Sequence, residues 1–388
     1  MKKLRVLLIG AAFSADLHSD GYSRIMDKVE IVGICDKDLS RVAALAERYG
    51  FTGYTPYDDI DTAIRECDCD LVDICMPNFL HHDVAIKAIN AGRDIICEKP
   101  LATTVEDAQD MVDTADCLGK HIYYAEDWLF APAFRKALSI MESGQVGKPL
   151  YIRARECHCG SHSPFAQKIE YCGGGCMVHL GVHPVSFMLA LKDNKWTELT
   201  AMTSGGGNKN LVHNQMEGED WAGAFLRFAD GTYATLEANY VTTGGMEDVL
   251  DIYCEKGCIH VDLSFSGPVK VFSIPGLDYT VEKAEITTGW SHPAVDEKYN
   301  LGYCGEINHF VDCALSGKDA QVGLRGRDGL ETLKVINLIY KSAKEGTHIH
   351  NISEAGNNPL LKCCASGGWQ ACAEESAYRC KNAGGILE

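Results

Sequence analysis

Two histidines four residues apart, His179 and His183, follow three glycines in the stretch GGGCMVHLGVHPV, Gly173 to Val185. A third, His158, lies upstream in CHCGSH, Cys157 to His162, and Cys172 and Cys176 flank the glycines. Two chemistries suit such a set. An imidazole titrates near neutral pH, at about 6.5, and can take a proton from a hydroxyl and return it. Imidazoles and thiolates can also hold zinc, and histidines at i and i+4 are a known ligand pair. Cys-x-Cys and Cys-x-x-x-Cys are not usual structural zinc spacings, so zinc is the less favoured reading and the metal question stays open. Val178, Val182, Val185 and Leu189 form an apolar stripe beside the two rings, which predicts one helix with both histidines turned to a cleft. Pro184 falls inside that helix and would bend it.

Lys99 is the other candidate. It leaves the strand-like run DIICEKP just before Pro100, which biases it away from helix. A cation there would stabilise an alkoxide as hydride leaves the same carbon.

The elements that must hold these groups alternate regularly. LRVLLIG, Leu4 to Gly10, is a buried parallel strand opening into GAAFSA and a helix. Only the first glycine of a dinucleotide fingerprint is present there, with Ala12 and Ala15 in the other two places. A second strand, VEIVGICDKD, ends in Asp36, 26 residues after Gly10. An acid at that point can accept both ribose hydroxyls, favouring NAD over NADP, while the adjacent Lys37 weakens the preference. DLVDICMPN, HHDVAIKAINAG, DIICEKP, TTVEDAQDMVDTADCLG and HIYYAED continue as strand, helix, strand, capped helix and strand. This order predicts a parallel sheet covered on both faces.

Composition bounds the function. A net charge of −18 over 388 residues argues against a nucleic-acid partner, and no basic run appears. No apolar run reaches the roughly 18 residues of a membrane span. The amino-terminal apolar stretch fits a first strand better than an export signal, and 18 cysteines without that signal suit reduced thiols in a cytoplasm.

GAAFSADLH, CMPNFLHH, CEKPLATT and GGGCMVHLGVH, in that order, resemble the glucose–fructose oxidoreductase/inositol dehydrogenase (Gfo/Idh/MocA) family over roughly residues 1–350. The resemblance implies an α/β Rossmann domain followed by an α+β domain with an open, mainly antiparallel sheet. It also implies hydride transfer between NAD(P) and a carbon of a sugar, cyclitol or related polyol. Gly10, Ala12, Phe13 and Ser14 match the family's phosphate turn, and Asp36 its ribose acid. Pro77, Asn78 and His81 match its loop along the cofactor. Glu98, Lys99 and Pro100 match its Glu-Lys-Pro motif, in which the lysine reaches the reacting hydroxyl. His183 matches the acid–base histidine of an Asp-x-Gly-x-His segment, but His179 stands where the aspartate is usual.

The expected organisation is a dinucleotide domain over 1–125, a substrate and oligomerisation domain over 126–350, and a cysteine-rich tail over 351–388 carrying Cys363, Cys364, Cys372 and Cys380. Trp128 is expected at the cleft mouth, and His158 and His179 on the substrate. FLRFADGTYATLEANYV and DVLDIYCEKGCIHVDL read as hairpins of a broad sheet whose outer face pairs with another subunit, giving a homo-oligomer. EGED, Glu217 to Asp220, and ITTGWSHP, Ile286 to Pro293, read as loops near a substrate. The expected activity is an NAD-dependent dehydrogenase of a sugar, glycoside or cyclitol. The alternative is a glycosidase or lyase that oxidises its substrate transiently, eliminates a substituent and reduces the product. A non-catalytic NAD-binding regulator would need neither Lys99 nor His183.

Overall fold

The computed structural model describes residues 2–161, 163–264, 269–276, 288–291 and 295–351. In the first third, β1 (Leu4–Ile9), α1 (Phe13–Ser23), β2 (Val29–Cys35), α2 (Leu39–Tyr49) and β3 (Thr55–Tyr57) follow one another. Then come α3 (Ile60–Glu66), β4 (Leu71–Ile74), α4 (His81–Asn90), β5 (Asp94–Glu98), α5 (Val105–Leu118) and β6 (Ile122–Ala125). The strands pair in parallel in the order β3-β2-β1-β4-β5-β6. β1 shows why the sheet is buried on both faces. Leu4, Val6 and Leu8 join one hydrophobic cluster, whereas Leu7 and Ile9 join a second. Strand order reverses at β1, which opens a crevice at the carboxyl ends of β1 and β4.

Local chemistry sets the helix ends. Thr104 caps α5 by accepting the Asp107 N–H, Glu106 and Asp107 lie in its first turn, and Gly119 closes it in the left-handed region. α1 differs, because its N-cap is Ala12 and no side chain satisfies its first N–H groups.

β6 leads through α6 (Pro132–Glu142) into β7 (Pro149–Cys157), followed by α7 (Ile169–Cys172), α8 (Cys176–His179) and α9 (Val182–Leu191). The second sheet adds β8 (Trp196–Thr203), β9 (Trp221–Phe228), β10 (Tyr233–Asn239), β11 (Glu247–Cys254) and β12 (Cys258–Asp262). After a small hairpin, β13 (Val271–Ser273) with β14 (Gly289–Ser291), the described chain ends with α10 (Glu297–Leu301), α11 (Tyr303–Ser316), α12 (Gly326–Glu345) and β15 (Ile349–His350). The second sheet runs β12-β11-β7-β10-β9-β8-β15 and is antiparallel except where β10 meets β7. Both hairpins expected from their turn residues are present.

Sheet membership changes between β6 and β7, but the last helices cross that division. α11 packs on α1, and α12 packs on α5 and β6 as well as on α9 and β8. Tyr124 donates its N–H to the Leu324 carbonyl at 2.8 Å. The four tail cysteines lie outside the described residues, as do His162 and, from the ITTGWSHP stretch, Ile286, Thr287, His292 and Pro293.

Gly10 shows what the strand crossing demands. Its φ is 102°, and an added Cβ would sit 2.2 Å from the Cys75 carbonyl oxygen. Gly10→Ala is expected to lower stability by about 2 kcal/mol or more, combining left-handed strain with a backbone clash. Urea unfolding with an unchanged m-value checks this.

Candidate active site

The crevice at the carboxyl ends of the parallel strands has the parts of a dinucleotide site. Ala12 and Phe13 are exposed, Phe13 by 52%, at the uncapped start of α1. Free N–H groups and the positive end of a helix suit a pyrophosphate. Asp36 ends the turn after β2, where its Oδ2 accepts the Ala11 N–H and its Oδ1 the Asp38 N–H, both at 2.9 Å. Each carboxylate oxygen keeps a second lone pair, which leaves capacity for ribose hydroxyls. Lys37 is exposed beside it, and Pro77 and Asn78 are half-buried across the crevice. Asn78 donates to the Cys172 carbonyl at 3.0 Å, tying the first domain to the second.

Two residues expected on the cofactor sit behind this surface instead. His81 is wholly buried, its Nδ1 2.9 Å from the Pro100 oxygen and its Nε2 2.8 Å from the Met76 oxygen. It pins two loops together, and burial lowers its pKa. Glu98 is buried too, accepting the Lys99 N–H at 2.9 Å, with Oε1 3.3 Å from His18 Nε2. His18 in turn places Nδ1 2.9 Å from Asp73, which also accepts from the Tyr22 hydroxyl at 2.8 Å. Burial opposes a charge on His18, but Asp73 and Cys75 act together against it and the imidazole pKa stands well above its ordinary value. Buried ionic contacts thus fix the strand end that carries Lys99.

Lys99 Nζ donates to the His179 carbonyl at 3.1 Å, bringing β5 to α8. Glu219 holds α8 in place. Its Oε1 accepts the Met177 N–H at 2.8 Å and the Tyr340 hydroxyl at 3.0 Å, and its Oε2 accepts the Gly175 N–H at 3.1 Å. The glycines allow this approach, since a Cβ at Gly174 would lie 2.4 Å from the Tyr340 hydroxyl and one at Gly175 2.1 Å from the Glu219 oxygen. The acidic EGED segment therefore builds the scaffold rather than a substrate loop. Glu217 accepts the Ile169 N–H, and Asp220 gathers those of Leu211, Val212 and His213.

The two histidines do not share one helix. α8 ends at His179, α9 begins at Val182, and the helical stretches on either side meet at 57°. Gly181 permits the break, because a Cβ there would lie 2.7 Å from the Met177 carbonyl oxygen. Pro184 falls in the first turn of α9, where a missing N–H costs nothing. The bend seen at this point thus precedes the proline.

His179 is half-buried, with Nδ1 2.7 Å from the Tyr240 hydroxyl. Burial and the Lys99 ammonium push its pKa down to about 3, so the ring is neutral at working pH. His183 is only 4% exposed. Its Nδ1 lies 2.7 Å from Glu126 Oε1 and 3.2 Å from Asp127 Oδ1, and its Nε2 4.0 Å from Glu156 Oε2. Trp128 stacks on this ring at a centroid distance of 5.9 Å and is itself 1% exposed, with Phe134 and Phe187 around it. It therefore backs His183 and offers no surface to a substrate. His158 is likewise buried, its Nε2 3.7 Å from Glu156, the same acid that approaches His183 Nε2.

The cysteines do not gather round these histidines among the described residues. Cys157 Sγ accepts from Asn239, Cys172 donates to the Gly174 oxygen and Cys176 to the Ala238 oxygen, while Cys159 is exposed. Glu126, Asp127, Glu156 and Glu306 were not singled out from sequence, nor were His18, Asp73 and Tyr240, and Glu219 was noted only as part of the acidic EGED stretch. The pair Glu126–Asp127 carried a usable signal, two acids directly after an apolar strand of the parallel sheet. Tyr240 carried none.

Known proteins agree with this architecture. Residues 4–125 match the oxidoreductase family with an NAD-binding Rossmann fold, and residues 134–260 match the GFO/IDH/MocA C-terminal domain. The D-glucoside 3-dehydrogenase of Escherichia coli (strain K12) is 27% identical over 355 residues, covering 89% of this chain and 97% of its own. The D-apiose dehydrogenase of Paraburkholderia graminis is 24% identical over 374 residues, covering 95% of each. The crystal structure of GenD2 from gentamicin A biosynthesis, in complex with NAD, superposes with a TM-score of 0.81 at 21% identity over 90% of this chain and 97% of GenD2. With both of its characteristic domains present in order, the chain belongs to the Gfo/Idh/MocA family of oxidoreductases.

Proposed function

We propose that this protein oxidises a hydroxyl-bearing carbon of a sugar, glycoside or cyclitol with NAD as the hydride acceptor. The observation that carries this reading is the meeting of Lys99 with the histidine segment at the carboxyl edge of the parallel sheet, Nζ 3.1 Å from the His179 carbonyl. Dinucleotides bind at such edges. The curated relatives named for a glucoside and for apiose support the carbohydrate class.

NAD, when bound, supplies the hydride acceptor. Gly10, Ala12, Phe13 and Ser14 would hold its pyrophosphate, Asp36 would accept from its ribose, and Lys37, Pro77 and Asn78 would flank it, while His81 and Glu98 brace these loops from beneath. The Lys99 ammonium lowers the cost of charge on the substrate oxygen. His183 takes the hydroxyl proton at Nε2, the nitrogen opposite its Glu126 contact. His179, kept neutral, binds a neighbouring hydroxyl. That neutral ring beside Lys99 also favours a second reading, in which His179 removes the proton next to a transient ketone and a glycosidic substituent leaves. Net NADH separates the two, because the elimination cycle returns its hydride.

The outer face of the second sheet exposes Met202 by 69% and Phe225 by 67%, and Tyr233 is exposed further along it. Such a face pairs with a second copy of this chain.

The deciding assay is NADH absorbance with sugars, glycosides and inositols. Lys99→Ala is expected to cut kcat by about 10²- to 10³-fold while NAD binding persists. Asp36→Asn keeps an acceptor but loses the charge, and should narrow the preference for NAD over NADP by about tenfold, ~1.4 kcal/mol. Phe225→Lys should shift the protein towards monomer in sedimentation, and an unchanged mass would remove that face as the interface.

A further inference from the structure

Glu126 leaves β6 at the same sheet edge as Lys99 and is wholly buried. Its Oε1 lies 2.7 Å from His183 Nδ1, and its Oε2 meets no hydrogen-bond partner among the described residues. The Glu126 N–H donates to Glu306 Oε1 at 2.5 Å, and Glu306, on α11, is equally buried with its own Oε2 unpartnered among the described residues. Asp127 approaches the same Nδ1 at 3.2 Å, and Glu156 on β7 stands 4.0 Å from Nε2, with His158 beyond it at 3.7 Å. Lys99, from β5, is the cation that acts on Glu126.

Several carboxyls packed round one imidazole away from water cannot all stay ionised. Burial, then Asp127 and Glu306, hold the Glu126 pKa well above the usual carboxylate range, and burial with Asp127 does the same for Glu306. An imidazolium at His183 would meanwhile share the site with the Lys99 ammonium. These two facts point the same way, towards proton storage on a carboxyl.

We propose that Glu126 is the resting place of the proton that His183 takes from the substrate hydroxyl. The inference rests on the reading of His183 as the acid–base group. The substrate O–H bond breaks as Nε2–H forms, and the Nδ1–H bond breaks as a Glu126 O–H forms. The carboxylate becomes a carboxylic acid, His183 returns to neutrality with its tautomer exchanged, and the hydride takes the C–H electron pair to NAD+. Glu126 touches neither substrate nor cofactor, so it is a positioning residue that acts through His183. His183 and Glu126 then titrate as a pair, whose apparent pKa belongs to both.

Infrared difference spectra of the full chain, taken above and below the acid limb of activity, test this without substrate. The expected result is a carboxylic-acid carbonyl band that grows as pH falls, is abolished by Glu126→Gln and is retained in Glu306→Gln. In Glu126→Gln the amide still accepts the Nδ1–H but cannot store the proton. Its kcat should therefore fall about 10²-fold with NADH affinity unchanged, and its acid limb should move down by about one pH unit or more. A band that survives Glu126→Gln overturns the proposal. Should that variant not fold, Glu126→Asp replaces it: a shifted band supports storage on residue 126, and an unshifted one overturns it. Absence of any sugar or polyol oxidation by the wild type would sink the proposed activity while leaving the infrared result to decide the location of the proton.

Discussion

The hydrogen bond from the Lys99 ammonium to the carbonyl of His179 is the contact on which the two halves of the site meet at the sheet edge. Each partner is held by its own buried support. On one side, His18, Asp73 and Glu98 lock the end of β5. On the other, Glu219 gathers the start of α8 with Tyr340. The charges involved are costly to bury singly and are tolerated because each meets a counter-charge or several donors.

The second constraint is the crowding of acids beneath His183. Glu126 and Asp127 come from the strand end, Glu156 from the second sheet and Glu306 from a helix of the last third of the chain. The acids around His183 are therefore brought together from the end of the first sheet, from the second sheet and from a late helix, and no single element supplies them all. Trp128 seals the imidazole on one face, keeping the local dielectric low, which strengthens every contact there.

Much of this architecture is legible in the sequence. Apolar runs ending in turn residues define β1, β2, β4, β5 and β6, and Asp230–Gly231 marks the β9–β10 hairpin. Lys99 is legible because Pro100 and a preceding apolar strand place it at a sheet edge. The histidine pair misleads, since a spacing of four suggests one helical face, whereas Gly181 lets the chain break against the Met177 carbonyl. Trp128 misleads for another reason: its burial depends on Phe134 and Phe187, which no local pattern links to it. The contact of Glu126 with Glu306 spans 180 residues, a distance at which spacing carries no information.

The return of α11 and α12 onto the first domain has a consequence for synthesis. β6 is paired on one side by β5, and its Tyr124 N–H waits for the carbonyl of Leu324. The helices that cover α1, α5 and β6 leave the ribosome long after the elements they cover. The dinucleotide domain therefore emerges first with part of its apolar cover missing. Its surface closes only once α11 and α12 have been made, and apolar surface exposed over such an interval favours aggregation.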